Sequence, residues 1–324
     1  MQFAWGYAPT LIIEAAVRHR VFDFLDQGPK TLDALAAQTG ASRRGLSAIL
    51  NALVGLQLLS RSGDLYSLVP ESAAFLVSNK PAFYGGFFRH MSEGILPKWL
   101  QLDEVVRTGK PARIVNLQKE GAHFFAGFVE AIIPLGYTPA RALGEHLGIP
   151  KLTKPAAVLD VAAGSGIWGI ALAEQSDQVR ITAADWPEVL EVTKKVAAQH
   201  GVANRLTTIA GDILDVNLGG GYQVALLGQI LHSEGADRSR QLLRKVFAAL
   251  APGGTIAIAE FVPNDDRTGP AHTLIFAVNM LINTEAGDTF TFAEISQWLE
   301  QAGFTNPRQL DAKGPSPLIL ATRP

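Results

Sequence analysis

The sequence predicts an α/β protein in which an N-terminal all-helical winged-helix domain precedes a doubly wound, mainly parallel, seven-stranded sheet. Three observations carry this prediction: a helix, turn, helix and hairpin pattern near the N-terminus, alternating strands and helices after Pro155, and a glycine turn that joins the first of those strands to its helix. Such alternation is typical of βαβ units, whose strands are parallel. We divide the chain into a winged-helix domain at 1–80, a helical linker or lid at 81–150 and an α/β domain at 151–324.

The first domain is predicted from helix-capping residues and one hairpin signal. "TLIIEAAVRHRVFDFL" carries apolar residues at helical spacing and predicts one amphipathic helix. Thr31 and Ser42 are placed to cap the next two helices, and Gly40 ends the helix between them. "LLSRSGDLYSL" alternates around a Ser-Gly-Asp turn, which predicts the hairpin, or wing.

The segment 81–150 predicts further helices and is rich in aromatic residues. Aromatic side chains most commonly pack in a core, but they also wall small-molecule pockets because they supply large, rigid apolar surfaces. His123 in this segment and His272 later in the chain are possible pocket histidines. The aromatics are Phe83, Tyr84, Phe87, Phe88, Trp99, Phe124, Phe125, Phe128 and Tyr137.

The α/β domain contains seven candidate strands. The first five are "AAVLDVA", "VRITAAD", "RLTTIAG", "YQVALLG" and "GTIAIAEFV", and the helices beside them start near Trp168, Pro187, Asp237 and Pro270. "FTFAEISQWLEQAGF" predicts a late helix. "PRQLDAKGPSPLILATR" predicts two final strands that form an antiparallel edge.

Composition and charge exclude several classes of function. The 324 residues have a formal net charge of −2 and 48% hydrophobic content, which argues against a general polyanion binder and against disorder. The chain has no cysteine, so disulfides, thiolate zinc sites and a cysteine nucleophile are excluded. The sequence has no H-E-x-x-H motif or spaced carboxylate cluster, and we expect no metal site. Without a secretory leader or an apolar run of about 20 residues, the expected location is the cytoplasm.

The glycine turn has two interpretations. "GSGIWG", residues 164–169, matches G-x-G-x-x-G, and Asp185 follows about 20 residues later, as in dinucleotide sites. Asp160, at the end of the preceding strand, would repel a pyrophosphate. S-adenosylmethionine fits better, because it carries a sulfonium and an ammonium but no phosphate. Asp160 can then order the loop or face the amino-acid end of that cofactor.

Other residues at the carboxyl ends of the strands can hold the rest of this cofactor, since open α/β sheets bind ligands there. Gly164 and Gly166 let the ligand approach the backbone closely. Asp185 can accept hydrogen bonds from both ribose hydroxyls. In "AGDIL", Asp212 can accept from the adenine amino group and Ile213 can cover the ring.

Several of these segments together resemble a known protein family. The series "VLDVAAGSG", "AADWPEV", "AGDIL", "LLGQILHSEGADRSRQLLRKVFAALAPGGTIAIAEF" and "TFAEISQWLEQAGF" is similar to S-adenosylmethionine-dependent O-methyltransferases with an N-terminal winged-helix dimerisation domain. These include plant caffeate-type enzymes and bacterial polyketide and carotenoid tailoring enzymes. The resemblance covers essentially the whole chain. It implies a Rossmann-like catalytic domain, a homodimer, and methyl transfer to a hydroxyl of a small aromatic or polyketide-like metabolite.

The resemblance also implies residue roles. His232 in "ILHSE" matches the histidine that deprotonates the acceptor hydroxyl, and Glu260 in "IAEFVP" matches an acid that flanks it. An imidazole is suited to accept a phenolic proton, and a neighbouring carboxylate fixes its tautomer. This pair forms only if the ends of the fourth and fifth strands are adjacent. Gln229 matches the methionine end of the cofactor site, and Met280 and Asn283 match the acceptor region.

The chain departs from the family in three places. The family loop is richer in glycine than "VAAGSG" here, which fits if the alanines keep a negative φ. Ser233 and Glu234 stand where an acid and an aromatic residue commonly follow the histidine. A second flanking acid aligns with Thr289, and its neighbours Asp288 and Glu285 are the candidate substitutes. The incomplete set leaves carbon or nitrogen methylation, or chemistry without methylation, as alternatives.

A DNA-binding regulator is the alternative from another class. The predicted recognition helix, "SRRGLSAILNALVGL", has two arginines at its start but is otherwise apolar. A recognition helix needs polar side chains toward the DNA groove. The winged-helix domain is therefore expected to serve protein association and not nucleic-acid binding.

Overall fold

The structure is a computed structural model that describes residues 3–112, 128–314 and 316–324. The chain divides into two compact units, with the boundary between Leu100 and Gln101. The segment 81–150 is thus shared between the units. Two of its aromatic residues, Phe124 and Phe125, and the candidate pocket histidine His123 lie outside the described residues.

The first unit is helical with a small sheet. Three antiparallel strands have the order β1–β3–β2, and β2 and β3 form the predicted hairpin. The strand β1 was not predicted, because its two residues are too short to show a pattern. The elements are α1 (Ala8–Arg18), α2 (Val21–Leu25), β1 (Lys30–Thr31), α3 (Leu32–Thr39), α4 (Arg43–Gly55), β2 (Leu59–Ser62), β3 (Leu65–Leu68), α5 (Pro70–Phe75), α6 (Gly85–His90), a π-helical turn (Met91–Ile95) and α7 (Leu96–Trp99).

Local capping chemistry confirms most of the predicted helix ends in this unit. The Thr31 hydroxyl accepts from the Ala34 N–H at 3.2 Å, and the Ser42 hydroxyl accepts from the Gly45 N–H at 3.1 Å. The prediction of one helix over residues 10–25 was wrong. Arg20 adopts a left-handed conformation with φ 57° and separates α1 from α2, which lets both helices bury their apolar faces.

The second unit contains the predicted seven-stranded sheet in the order β6–β5–β4–β7–β8–β10–β9. The first five strands pair in parallel, and β10 pairs antiparallel with both β8 and β9, which confirms the antiparallel edge. The strands are β4 (Ala156–Val161), β5 (Val179–Asp185), β6 (Leu206–Ala210), β7 (Tyr222–Gly228), β8 (Leu250–Ala259), β9 (Thr305–Leu310) and β10 (Leu318–Thr322).

Helices cover both faces of this sheet. On β4, Val158 faces one apolar cluster, while Leu159 and Val161 face the other, as a doubly wound sheet requires. No helix in the described ranges is both long enough and apolar enough to cross a membrane. The helices are α8 (Leu102–Thr108), α9 (Ile133–His146), α10 (Ile167–Ala173), α11 (Pro187–Gln199), α12 (Leu231–Ala249), α13 (Ala271–Asn283) and α14 (Phe292–Ala302).

The helix α12 begins earlier than predicted and is kinked. It starts at Leu231 and not near Asp237, and Gly235 inside it has φ 74° and ψ 171°, which is not helical. A Cβ at Gly235 would lie 2.6 Å from the Ala286 carbonyl oxygen. The kink therefore separates the first turn, Leu231–Glu234, from the rest of the helix. Because Gly235 has no Cβ, the loop at Ala286 can approach it closely.

We expect Gly235→Ala to lower the free energy of unfolding by roughly 3 kcal/mol, because alanine is strained at this backbone conformation and its Cβ would collide with a carbonyl. Urea denaturation measures the effect. Gly220→Ala is the matched control, since the nearest atom to its Cβ would be 3.8 Å away. Equal stability of the two variants would contradict the assigned role of the kink.

Candidate active site

The glycine loop between β4 and α10 has an unusual backbone. Gly164 and Gly166 have φ 58° and 74°, as a tight turn requires. Ala162 also has a positive φ of 53°, so the expectation that the alanines keep a negative φ was wrong for this residue. Thr193 stabilises the loop, because its hydroxyl donates to the Gly164 carbonyl at 2.7 Å. The loop backbone is thereby fixed at the carboxyl end of the sheet.

Asp185, the last residue of β5, holds this loop from the side. Its Oδ2 accepts from the Gly164 N–H at 2.9 Å, and its Oδ1 accepts from the Trp186 N–H at 2.7 Å. Burial raises the pKa of this carboxyl to about 6, against the effect of the two backbone donors. Each carboxylate oxygen keeps a further lone pair with which to accept a ligand hydroxyl.

Asp160 lies beneath the same loop and is almost fully buried. Its Oδ2 accepts from the Gly169 N–H at 3.0 Å, so the carboxylate orders the start of α10. Burial, with a smaller contribution from the charge of Asp185, raises its pKa to about 7, against the opposing effect of the Gly169 N–H. Its second oxygen, Oδ1, is buried and has no hydrogen-bond partner among the described residues.

Gln229 supplies a second unpaired acceptor close to this end of the sheet. It follows β7, which pairs with β4, and its φ is 65° while its N–H donates to the Ala259 carbonyl at 2.9 Å. Within the described part of the chain, its buried Oε1 has no partner. Buried acceptors without a donor are costly. Asp160 Oδ1 and Gln229 Oε1 thus suit an ammonium group, which fits the amino-acid end of S-adenosylmethionine.

Asp212 lies in the turn after β6, at the same edge of the sheet. Its Oδ1 accepts from the Leu214 N–H at 2.8 Å, and both of its oxygens lie 3.2 Å from Nη2 of Arg238. Ile213 is 7% exposed and packs in the core cluster beside α12. The acid is thus close to the crevice, whereas most of the Ile213 side chain is buried.

His232 and Glu260 are brought together across the ends of β7 and β8, as their pairing required. The His232 N–H donates to Glu260 Oε1 at 3.1 Å, and its Nδ1 lies 2.7 Å from Oε2. The two side chains are 11% and 3% exposed. A single carboxylate therefore fixes both the backbone and the ring of His232.

Two aromatic residues stand beside this histidine and were missed by the sequence reasoning. The Phe276 ring meets the His232 ring edge-on, with centroids 4.9 Å apart, and Phe261 packs on Phe276 at 4.3 Å. His272 is exposed, with its ring 6.4 Å from Phe261. Phe261 directly follows Glu260, and Phe276 lies one helical turn after His272, but neither spacing alone indicates a pocket.

The candidates for a second flanking acid do not reach the His232 ring. The Asp288 N–H donates to the His232 carbonyl at 3.0 Å, but its carboxylate lies 3.6 Å from Arg267. Glu285 is exposed, and Thr289 is fully buried. In the described part of the chain, Glu260 is the carboxylate that hydrogen-bonds the ring.

Met280 and Asn283 lie on α13, the helix that carries Phe276. They are 6% and 3% exposed, and the Asn283 amide donates to the Asn279 carbonyl at 2.8 Å. Both are close to fully buried, so any contact with an acceptor involves a small part of each side chain.

Two family models match the chain. The O-methyltransferase domain covers residues 143–305, and the O-methyltransferase dimerisation domain covers residues 1–78. Two similar proteins are the 3-hydroxy-5-methyl-1-naphthoate 3-O-methyltransferase of Streptomyces sahachiroi, 29% identical over 96% of this chain and 90% of that protein, and the tetracenomycin polyketide synthesis 8-O-methyltransferase of Streptomyces glaucescens, 28% identical over 100% and 96%.

The fold is shared with solved structures. One of them is the crystal structure of a Nostoc punctiforme protein assigned as an O-methyltransferase. Its sequence is 30% identical to this chain and its TM-score is 0.89, and the alignment covers 99% of this chain and 97% of the Nostoc chain. The family models and this similarity extend over the glycine loop and both strand ends that carry His232 and Glu260. The chain belongs to the S-adenosylmethionine-dependent O-methyltransferases.

Proposed function

We propose that the enzyme methylates a phenolic hydroxyl of a planar, aromatic or polyketide-like metabolite, with His232 as the general base. The observation that carries the proposal is the 2.7 Å pair between His232 Nδ1 and Glu260 beside the aromatic wall of Phe261 and Phe276. Flat aromatic rings stack well on such a wall. The names of two similar enzymes, one acting on a hydroxynaphthoate and one serving tetracenomycin polyketide synthesis, support the same acceptor class.

We assign the cofactor to the crevice above β4, β5 and β6. Asp185 accepts from the ribose hydroxyls, Asp212 accepts from the adenine amino group, and Asp160 and Gln229 face the ammonium end. When bound, S-adenosylmethionine supplies a methyl group on a positively charged sulfur. Because the leaving sulfur departs neutral, the main contributions of the protein are alignment and removal of the acceptor proton.

Glu260 prepares His232 for proton removal. With a carboxylate at Nδ1, the neutral ring keeps its proton on that nitrogen, so the lone pair on Nε2 is available to the acceptor hydroxyl. After proton transfer, the same carboxylate stabilises the imidazolium. Phe276 packs against the ring and limits its rotation.

The proposal is tested by incubating the enzyme with methyl-labelled S-adenosylmethionine and a panel of phenols, naphthols, hydroxyanthraquinones, anilines and indoles. We expect labelled methyl ethers from the hydroxylated rings, identified by the NMR shift of the methyl group. A labelled methyl group on nitrogen or carbon would contradict O-methylation of an aromatic acceptor and would support one of the alternative reactions. Turnover of aliphatic alcohols in place of phenols would overturn the acceptor class.

The affinity for S-adenosylhomocysteine should fall as the pH drops below about 6, because Asp185 has its pKa raised to about 6 by burial and must be ionised to accept from both ribose hydroxyls. The expected rise in Kd is up to about tenfold per pH unit, the limit for one proton. Calorimetry at pH 7.5, 6.5 and 5.5 measures it.

Asp160→Asn is the matched variant, since its amide oxygen still accepts from the Gly169 N–H. Because the pKa of Asp160 is itself raised to about 7, the wild type carries a second titration near that pH, and in this variant the fall in affinity below about pH 6 should persist. Its disappearance would assign the titration to Asp160 instead, and a Kd that is constant over the range would exclude both carboxyls.

We further propose a homodimer formed through the first unit, in line with the dimerisation domain model. Phe3 and Trp5 are 97% and 60% exposed, and Trp5 lines an apolar groove with Ile12 and Leu56. Sedimentation at micromolar concentration should give a dimer, and the double change Phe3→Ser, Trp5→Ser should give a monomer. Leu65→Ser, on the hairpin, is the control and should leave the dimer intact. A wild-type monomer would contradict the proposal.

A further inference from the structure

Asp212 is held in one orientation by Arg238. The Nη2 of this guanidinium lies 3.2 Å from both oxygens of the carboxylate, while Oδ1 also accepts from the Leu214 N–H. Oδ1 thus has two donors and Oδ2 has one. Since a carboxylate oxygen accepts at two lone pairs, Oδ2 is the oxygen with a position left for a ligand donor.

Arg238 is itself held from the other side. Its Nε donates to Glu234 Oε2 at 2.5 Å, and Glu234 is 8% exposed. Glu234 and Arg238 lie on either side of the Gly235 kink, and the kink orients the first turn of α12 so that Glu234 reaches the guanidinium. Two carboxylates therefore share one cation, and the cluster keeps a negative charge that favours a hydrogen-bond donor as its ligand.

We propose that Arg238 is a positioning residue for adenine recognition: it orients Asp212 so that Oδ2 accepts from the exocyclic amino group of the cofactor. Glu234 anchors the guanidinium in this arrangement. The inference rests on the proposed placement of the adenine at Asp212. It explains why this chain has a buried glutamate at position 234, where the pattern of the family has an aromatic residue.

The test compares two ligands on two proteins by calorimetry. The ligands are S-adenosylhomocysteine and its analogue with purine in place of adenine, which lacks the amino group. In the wild type, loss of the amino group should weaken binding about tenfold, in the range of one hydrogen bond to a charged group. In Arg238→Gln this ratio should fall to about twofold or less, because Asp212 is no longer oriented. A merely structural role would weaken both ligands equally and leave the ratio unchanged.

Arg240→Gln is the matched control, because Arg240 lies on the same helix and pairs with the exposed Asp237 at 2.8 Å. It should keep the tenfold ratio, and Glu234→Gln should give an intermediate one. If Arg238→Gln kept the tenfold preference for the adenine ligand over the purine ligand, the inference would be overturned. The adenine placement would still stand in that case if Asp212→Asn bound the two ligands equally. Equal binding of both ligands by the wild type would overturn the placement and the inference together.

Discussion

Replacing His232 with alanine should lower kcat by at least about 100-fold, the usual contribution of a general base, while the Kd for S-adenosylhomocysteine changes by less than about threefold. The reason is that the ring makes its hydrogen bond to Glu260, and none of the residues assigned to the cofactor depends on it. Initial rates with a phenolic acceptor, together with calorimetry on the same preparation, measure both quantities.

The chain offers a matched control for this change. His200 Nδ1 lies 2.8 Å from Glu174 Oε1, which is a histidine–glutamate pair with a similar ring-to-carboxylate distance at another place in the same unit. His200→Gln should leave kcat unchanged. Glu260→Gln should lower kcat by roughly tenfold or more, because an amide does not stabilise an imidazolium as a carboxylate does. Full activity of His232→Ala would show that the acceptor loses its proton without a histidine.

Asp185→Ala should weaken S-adenosylhomocysteine binding by at least about 100-fold, since in the proposed cofactor site this carboxylate accepts two hydrogen bonds from ribose hydroxyls. It also removes the acceptor for the Gly164 and Trp186 N–H groups, so the glycine loop loses its lateral support. Calorimetry at pH 7.5, where this carboxyl is ionised, measures the loss.

Asp185→Asn separates the two effects, because its amide oxygen still accepts from one of the two backbone donors. It should retain the thermal stability of the wild type better than alanine does, yet bind the ligand poorly. Asp177→Asn changes an exposed carboxylate two residues before the same strand and should bind normally. Tight binding of S-adenosylhomocysteine by Asp185→Asn would show that another residue accepts from the ribose hydroxyls.

The fold was predictable because its signals are local and repeated. The strands β5 and β7 match the predicted segments residue for residue, since each is a stretch of mostly buried residues between turns. Thr31 and Ser42 act as caps through backbone groups only three residues away. By contrast, the break at Arg20 and the positive φ of Ala162 depend on tertiary packing, which no local residue preference reports.

The site was predictable only to the level of its individual residues. The pairing of His232 with Glu260 was implied by the family resemblance, on the condition that the fourth and fifth strands of the α/β domain are neighbours, and the observed sheet order meets that condition. The ring contacts of Phe276 and the reach of Arg238 to Asp212 span dozens of residues along the sequence and depend on how α12 and α13 are oriented. Sequence spacing carries no information about such orientations, so these residues became visible only in the structure.

Glu260 hydrogen-bonds both the backbone and the ring of His232, and this arrangement has an evolutionary consequence. The proposed proton-accepting pair consists of His232 on the first turn of α12 and Glu260 directly after β8, whereas Phe276 lies on the separate helix α13. Substitutions along that helix at positions other than Phe276, whose ring contacts His232, can therefore reshape the proposed acceptor cavity without disturbing the pair of His232 and Glu260. A scaffold partitioned in this way can acquire new acceptors in small steps and remain an active catalyst at each one.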